Sequence, residues 1–269
     1  MRVHIVALEN QWILGRCVTL LARGEGWTTG PRVDKSADVN YFAPYLLLKG
    51  SYRPSTKTAA WFTHREEAPS AKGKIATWHR VAGMVDLRIT MAEKYRMELS
   101  QFGPTVNVPL PVDTVKFTPR PLRVGVAGQV YALSRKGETS VARLTKEPGL
   151  EVVAAGKGWP CPTTYYPWAK MQEFYRGLDV FLVTSEVEGG PVTMMEALAC
   201  GIPVVAPTGV GMVDEFDVIK YPRGDYDAML VRLLSMLRGR MRRRRMVMAR
   251  TETAYVRAHE KAFEALCAE

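Results

Sequence analysis

The chain has 269 residues, 47% of them apolar and 24% charged, the balance of a soluble globular protein with room for one large or two small cores. Its four cysteines, Cys17, Cys161, Cys200 and Cys267, are scattered with no C-x-x-C pair. Neither a disulfide framework nor a zinc site is indicated, and a reducing, cytoplasmic setting fits. The formal charge of +10 suits a polyanion or an anionic membrane surface. Residues 1–118 carry 16 Lys+Arg against 10 Asp+Glu, residues 119–269 carry 21 against 17, and six arginines fall between Arg238 and Arg245.

The opening run MRVHIVALENQW is too short and too soon charged for a signal peptide and reads instead as a buried strand, Arg2–Leu8, with a helix over Ile13–Arg23 after it. The polar residues Glu9 to Trp12 join the two. Residues 24–40 are polar and irregular and read as loop. Tyr41–Leu48 and Thr58–Thr63 read as strands on either side of a turn-rich KGSYRPSTK. His64 closes the second of these before a charged loop, the place for a cleft residue or for an ordinary surface histidine. His4, His79 and His259 form no pattern. MVDLRITMAEKYRMELSQFG, residues 84–103, is a strand and then a helix. Thr90 and Glu93 are spaced as a capping box, Met91, Tyr95, Leu99 and Phe102 form an apolar stripe, and Gly103-Pro104 stops the run.

The Pro-rich stretch 109–121 marks a domain boundary, dividing the chain into residues 1–118 and 119–250 with a last helix in 251–269. Leu122–Gly128 opens the second domain, and Arg135-Lys136-Gly137 follows. Two cations beside a glycine after a strand suit a diphosphate, although such a pair is common on any surface. Leu150–Gly156 is another strand, and a Pro/Trp/Tyr-rich connection spans Trp159–Trp168. In Leu178–Pro207 the order is strand (Asp179–Thr184), polar loop (Ser185–Gly190), helix (Val192–Cys200) and strand (Ile202–Ala206). Pro191 suits the first helical position, where its missing N–H costs nothing.

The turn Glu188-Gly189-Gly190 sets bare amides at a helix start, a natural anion site. Seven residues separate Glu188 from Glu196, so both carboxylates could enter one cleft, where each can accept two hydroxyls of a sugar or ribose. A solvated Glu188 and a capping Glu196 in a plain α/β unit fit the same spacing. Further on, Tyr226, Met229, Leu230, Leu233, Leu234 and Leu237 make a helical core stripe. Asp225 and Asp227 before it read as caps rather than as ligands of a metal–diphosphate. RGRMRRRRM, residues 238–246, reads as a solvated helix end or as a polyanion-binding patch carried by Arg240, Arg242, Arg243, Arg244 and Arg245. Tyr255–Leu266 is a final amphipathic helix. The longest uncharged run, residues 197–213, is broken by Gly and Pro, so no membrane span is expected.

EGGPVTMMEALACGIPVVA resembles the donor-site signature of retaining nucleotide-sugar glycosyltransferases of the GT-B fold, family 4 type, and the compactness of the chain resembles a phage-type member. The signature is a Glu, a Gly-rich turn, a second Glu eight positions on and an Ala-x-Gly-x-Pro-Val-Val strand entry. More weakly, VNVPLPVDTVKFTP, residues 106–119, resembles that family's last N-domain strand and interdomain linker, with Asp113 and Phe117 in place and Pro111 where a glycine is usual, and GVGMVDEF resembles the turn that closes the nucleotide side. The resemblance implies two doubly wound, Rossmann-like α/β domains facing a cleft, with the terminal helix crossing back to the first. It implies that Lys136, Arg135 and the amides from Gly189 through Pro191 and Val192 to Thr193 hold the donor diphosphate, with Gln129 where the family has Arg. It further implies that Glu188 holds sugar hydroxyls, Glu196 the ribose, and His64 the sugar from the first domain.

On this resemblance the co-substrate is a UDP- or GDP-linked sugar, with no metal and no other cofactor. The acceptor stays open between a saccharide, a lipid-linked saccharide at a membrane face and a hydroxylated base in DNA. A nucleic-acid-binding α/β protein with a degenerate donor site is the non-enzymatic alternative.

Overall fold

The computed structural model describes residues 1–8, 12–48, 56–65, 72–131 and 135–268. The expected turn at 49–57, the polar joint at 9–11 and the acidic part of the loop after His64 lie largely outside them. The chain divides into two compact units, Met1–Phe117 with Val247–Glu269, and Thr118–Met246.

The first unit runs β1 (Val3–Val6), α1 (Ile13–Leu21), β2 (Trp27–Gly30), β3 (Val39–Phe42), β4 (Lys57–Phe62), α2 (Lys72–Ala82), β5 (Leu87–Thr90), α3 (Glu93–Leu99) and β6 (Thr105–Asn107). Among the described residues its strands form one parallel six-stranded sheet, ordered β2-β1-β3-β4-β5-β6. The second unit runs β7 (Leu122–Gln129), α4 (Glu138–Leu144), β8 (Leu150–Lys157), β9 (Thr163–Thr164), α5 (Met171–Arg176), β10 (Val180–Leu182), α6 (Val192–Ala199), β11 (Val204–Pro207), β12 (Ile219–Tyr221) and α7 (Tyr226–Arg245). Its parallel sheet is ordered β12-β11-β10-β7-β8-β9. Both are doubly wound, Rossmann-like sheets with helices on each face. Among the described residues no helix is long and apolar enough to cross a membrane.

Burial on both faces explains why these strands are nearly unbroken apolar runs. In the first unit Ile5, Tyr41, Trp61 and Ile89 point to one face, where Cys17 and Leu21 of α1 cover them. Val6, Phe42, Ala60 and Phe62, one residue along, point to the other face, under Trp78 of α2 and Tyr95 and Leu99 of α3. In the second unit Val124, Val152 and Val180 pack beneath α4 and α7, while Val153, Phe181 and Val204 pack beneath α5 and α6.

Several local expectations give way. Residues 24–40 contain β2, an edge strand whose Thr28 and Thr29 are exposed and so leave no apolar run. The strand expected over Tyr41–Leu48 ends at Phe42, and Pro44, which has no N–H for a ladder, leads into a 3-10 turn at Tyr45–Leu47. Thr90 and Glu93 do not form a capping box. Thr90 is the last residue of β5 with its hydroxyl on the carbonyls of Ala92 and Val106, Ala92 is the N-cap, and Glu93 binds Arg96 at 2.7 Å. Pro191 is the N-cap of α6 rather than its first helical residue. Asp225 does cap α7, accepting the Ala228 N–H at 2.9 Å.

The last helix, α8 (Glu252–Ala268), packs on the first sheet. Tyr255, Ala262, Phe263 and Leu266 join the face of Tyr41 and Trp61, with the Phe263 ring 5.3 Å from Tyr41 and 5.4 Å from Trp27. His259 is fully buried within this face. Its Nδ1 meets the Tyr255 carbonyl at 3.0 Å, so Nδ1 carries the proton and Nε2 accepts from the Tyr41 hydroxyl at 3.2 Å. Burial holds the imidazole down to about 4, from 6.5. Cys17, Tyr41 and Tyr255 beside it are all pushed up by burial and stay neutral.

The sign follows from the depressed folded value. Above pH 6.5 neither state binds the proton, and below it only the unfolded chain does. Stability therefore falls as pH drops from 6.5 to about 4, by about 3 kcal/mol in all at about 1.4 kcal/mol per pH unit. Urea midpoints measured across that window should fall with pH in the wild type and lose this slope in His259→Gln. An unchanged slope in the variant would assign the proton elsewhere.

Candidate functional site

In a doubly wound sheet the crevice for a ligand lies beyond the carboxyl ends of the strands, where the strand order reverses. In the second unit that point falls between β7 and β10, paired through Val124 and Val180. The loops that follow these two strands carry Lys136 and Glu188.

The loops are locked together at one glycine. Gly137 has φ +71°, and a Cβ on it would lie 2.3 Å from the Thr184 carbonyl oxygen, so only a bare Cα permits the approach. The Thr184 hydroxyl donates to the Lys136 carbonyl, and the Glu186 N–H donates to the Arg135 carbonyl at 3.0 Å. Held this way, the Lys136 ammonium forms an ion pair with Glu188 Oε1, which also accepts from the Ser185 hydroxyl at 3.0 Å. Both partners are mostly shielded, with side chains 16% and 20% exposed. They line a small cavity with Trp159, Ser185, Pro191 and Thr193.

Beyond Glu188, the turn rests on a second glycine. Gly211, at φ +52°, abuts the carbonyl oxygens of Glu188 and Gly189, which a Cβ would meet at 2.8 and 2.7 Å. In a trans peptide the N–H lies opposite the C=O, so the amides of Gly189 and Gly190 turn away from Gly211. The α6 ladder begins only with Met194 N–H on the Pro191 carbonyl, at 2.8 Å. The amides of Val192 and Thr193 thus precede the first intrahelical bond and suit an anion. Val192 is exposed, Thr193 half-buried and Pro191 buried.

Glu196 does not share this cavity. It lines a second one, of about 320 Å³, with Trp168, Met171, Gln172, Tyr175 and Cys200, and accepts from the Tyr175 hydroxyl at 2.6 Å. Burial, with the carboxylate beside it, pushes the Tyr175 phenol upward and keeps it a donor. Trp168 stands 83% exposed at the rim, an open aromatic face next to a carboxylate. Gln129 is exposed at the end of β7, and Arg135 is exposed with its guanidinium 5.2 Å from the Tyr131 ring centre. His64 is exposed at the carboxyl end of β4 in the first unit, 3.3 Å from the Thr63 hydroxyl. It follows β4 rather than the order reversal of its own sheet, which lies between β1 and β3.

Ser185, Thr184, Trp159 and Tyr175 were not singled out by sequence reasoning. Ser185, three residues before Glu188, was the one with a local signal. Arg240 leaves the expected polyanion set. It pairs with Asp179 at 2.5 Å and donates to the carbonyls of Arg120 and Pro121, both at 3.3 Å. Burial pushes the Asp179 carboxyl up, but the Arg123 N–H and the guanidiniums of Arg240 and Arg120 outweigh it and hold it below the usual range.

Residues 163–247 match the family model of glycosyl transferases, group 1. This group 1 segment runs from β9 to the end of α7 and contains Glu188, the Gly189-Gly190 turn and Glu196, while Lys136 lies upstream of it. Among solved structures the chain is similar to Alr3699/HepE of Anabaena in complex with UDP-glucose, at 11% identity over 99% of both chains with a TM-score of 0.41. It is also similar to sucrose-phosphate synthase of Thermosynechococcus elongatus, at 15% identity over 86% of this chain and 74% of that one (TM-score 0.38). A UDP-forming trehalose-phosphate synthase of Burkholderia xenovorans is 12% identical over 88% and 75% (TM-score 0.38). No curated protein matches the chain.

Proposed function

We propose that the chain is a retaining GT-B glycosyltransferase of the family 4 type, moving a sugar from a nucleoside diphosphate to an acceptor hydroxyl. The observation that carries this reading is the Lys136–Glu188 pair at the order reversal of the second sheet, with Glu188 inside the group 1 segment. In the reaction the bond from the anomeric carbon to the diphosphate oxygen breaks and its electrons leave with that oxygen, while the acceptor oxygen bonds the anomeric carbon and its proton passes to the departing diphosphate. Lys136, with Arg135 nearby, and the amides of Gly189, Gly190, Val192 and Thr193 stabilise the charge that develops there, the term that usually dominates such catalysis. A diphosphate oxygen on Lys136 replaces the Glu188 carboxylate and frees it to accept sugar hydroxyls. Glu196 takes the ribose diol, and Gln129 borders the diphosphate. No residue is assigned as a nucleophile, and the chemistry uses no metal and no cofactor beyond the UDP- or GDP-linked donor. The acceptor on this reading is a saccharide, free or lipid-linked.

A panel of nucleotide sugars tests the reading through hydrolysis and thermal stabilisation. A ligand at a hundred times its Kd stabilises the folded chain by about 2.7 kcal/mol, readily seen as a raised Tm. UDP or GDP should give such a shift and the matching sugar should be hydrolysed. If UDP, GDP and ADP all leave Tm unchanged at saturating concentrations, the donor-site reading fails.

A further inference from the structure

Between Ala228 and Thr251 the sequence has eight arginines and no acidic residue. Helix α7 sorts these charges by its period of 3.6 residues. Tyr226, Met229 and Leu233 face the core, and the same stripe continues into half-buried Arg240 and Arg244. Arg238, Arg242 and Arg245 lie on the opposite side, all exposed and within about 60° of one another around the axis. Val231, 51% exposed, lies in the same stripe, with Met241 (39%) and Met246 (76%) on either side of it.

We propose that this outer face of α7 is a docking surface for an anionic lipid bilayer. The charge alone would suit any phosphate-bearing polymer. The apolar side chains interleaved with it decide between the candidates. A phosphodiester backbone offers nothing to an exposed valine and two methionines, whereas a bilayer interface takes apolar side chains at the acyl boundary and guanidiniums among the headgroup phosphates. Arginine suits that boundary because its stem packs on apolar surface while its head stays in the polar layer. The inference is independent of the proposed donor chemistry, since none of these residues belongs to that site.

Co-sedimentation of the full chain with vesicles tests it. One set is phosphatidylcholine alone, the other phosphatidylcholine and phosphatidylserine in equal parts. The wild type should bind only the second. A basic side chain near an anionic leaflet is worth about 1 kcal/mol, or about fivefold in affinity, so R238Q/R242Q/R245Q should bind roughly a hundredfold more weakly. M241S/M246S keeps every charge and should also bind more weakly. Both variants should keep the wild-type urea midpoint, because the replaced side chains are exposed. The proposal is overturned if the wild type ignores phosphatidylserine, or if M241S/M246S binds like the wild type. It is equally overturned if the chain binds duplex DNA with a steep salt dependence and leaves the vesicles in the supernatant.

Discussion

Lys136→Ala is expected to lower kcat for nucleotide-sugar turnover by about 10²–10³-fold, the usual cost of removing one pre-aimed donor from developing charge. The ammonium is fixed rather than searching, because its backbone is tied to Thr184 and its head is held by Glu188. Its loss therefore removes an interaction already in place when the leaving oxygen becomes charged. Glu188→Gln separates this role from simple charge. Glu188 is paired with the ammonium that a diphosphate must claim, so its neutral counterpart should bind nucleoside diphosphate more tightly while turning over the sugar more slowly. Steady-state kinetics together with a thermal titration of UDP and GDP read both variants. A Lys136→Ala enzyme with kcat near the wild-type value would remove Lys136 from the chemistry. A Glu188→Gln enzyme that binds the nucleotide more weakly would contradict the competition.

Gly137→Ala is expected to destabilise the second unit by about 2–5 kcal/mol. A left-handed backbone costs an L-residue about 1–2 kcal/mol, and forcing a methyl into a filled space adds about 1–3 kcal/mol. That methyl would sit 2.3 Å from the Thr184 carbonyl, a backbone atom that cannot turn aside. Gly201→Ala supplies the control, since Gly201 has nearly the same φ, +73°, with nothing within 4 Å of the added carbon. Urea denaturation should show only the strain part in Gly201→Ala and the full loss in Gly137→Ala. The Gly137 variant should also lose most of its stabilisation by nucleotide, because relieving the clash moves the Lys136 loop off the β10 loop. Equal losses in the two variants would show that the close approach to Thr184 contributes nothing.

The strands legible in the sequence were those buried on both faces, such as DVFLVT and LRVGVAG, which are apolar apart from Asp179, Thr184 and Arg123. Concealed were β2, β9 and β12: β2 exposes Thr28 and Thr29, β9 is two exposed threonines, and β12 is three residues of which only Tyr221 is buried, so none leaves an apolar run. Thr90 and Glu93 had the spacing of a capping box, but Thr90 pairs with β6 as the last residue of β5, and α3 starts only at Glu93 with Ala92 at its N-cap, two residues past Thr90. At the site, the residue types were legible and their partners were not. Lys136 and Glu188 are 52 positions apart and meet only because β7 and β10 are neighbours. Glu196 shared a spacing with Glu188 but turned to Tyr175, 21 positions upstream, since the α5–α6 packing was invisible in a linear pattern. Arg240 looked like its neighbours in a run of arginines until the helical period placed it over Asp179.

The docking of α8 on the first sheet bears on the order in which the protein acquires its structure during synthesis. The second unit is one continuous segment, Thr118–Met246, and has everything it needs once that segment leaves the ribosome. The first unit does not. The face bearing Tyr41 and Trp61 lacks Tyr255, Phe263 and Leu266 until the last helix has been translated. At about 5–20 residues per second, the roughly 150 residues from Thr118 through α8 take about 8–30 s to make, and one side of that sheet stays unsheathed meanwhile. The first unit therefore cannot close this face of its core until α8 has been made, after the whole of Thr118–Met246 has been translated.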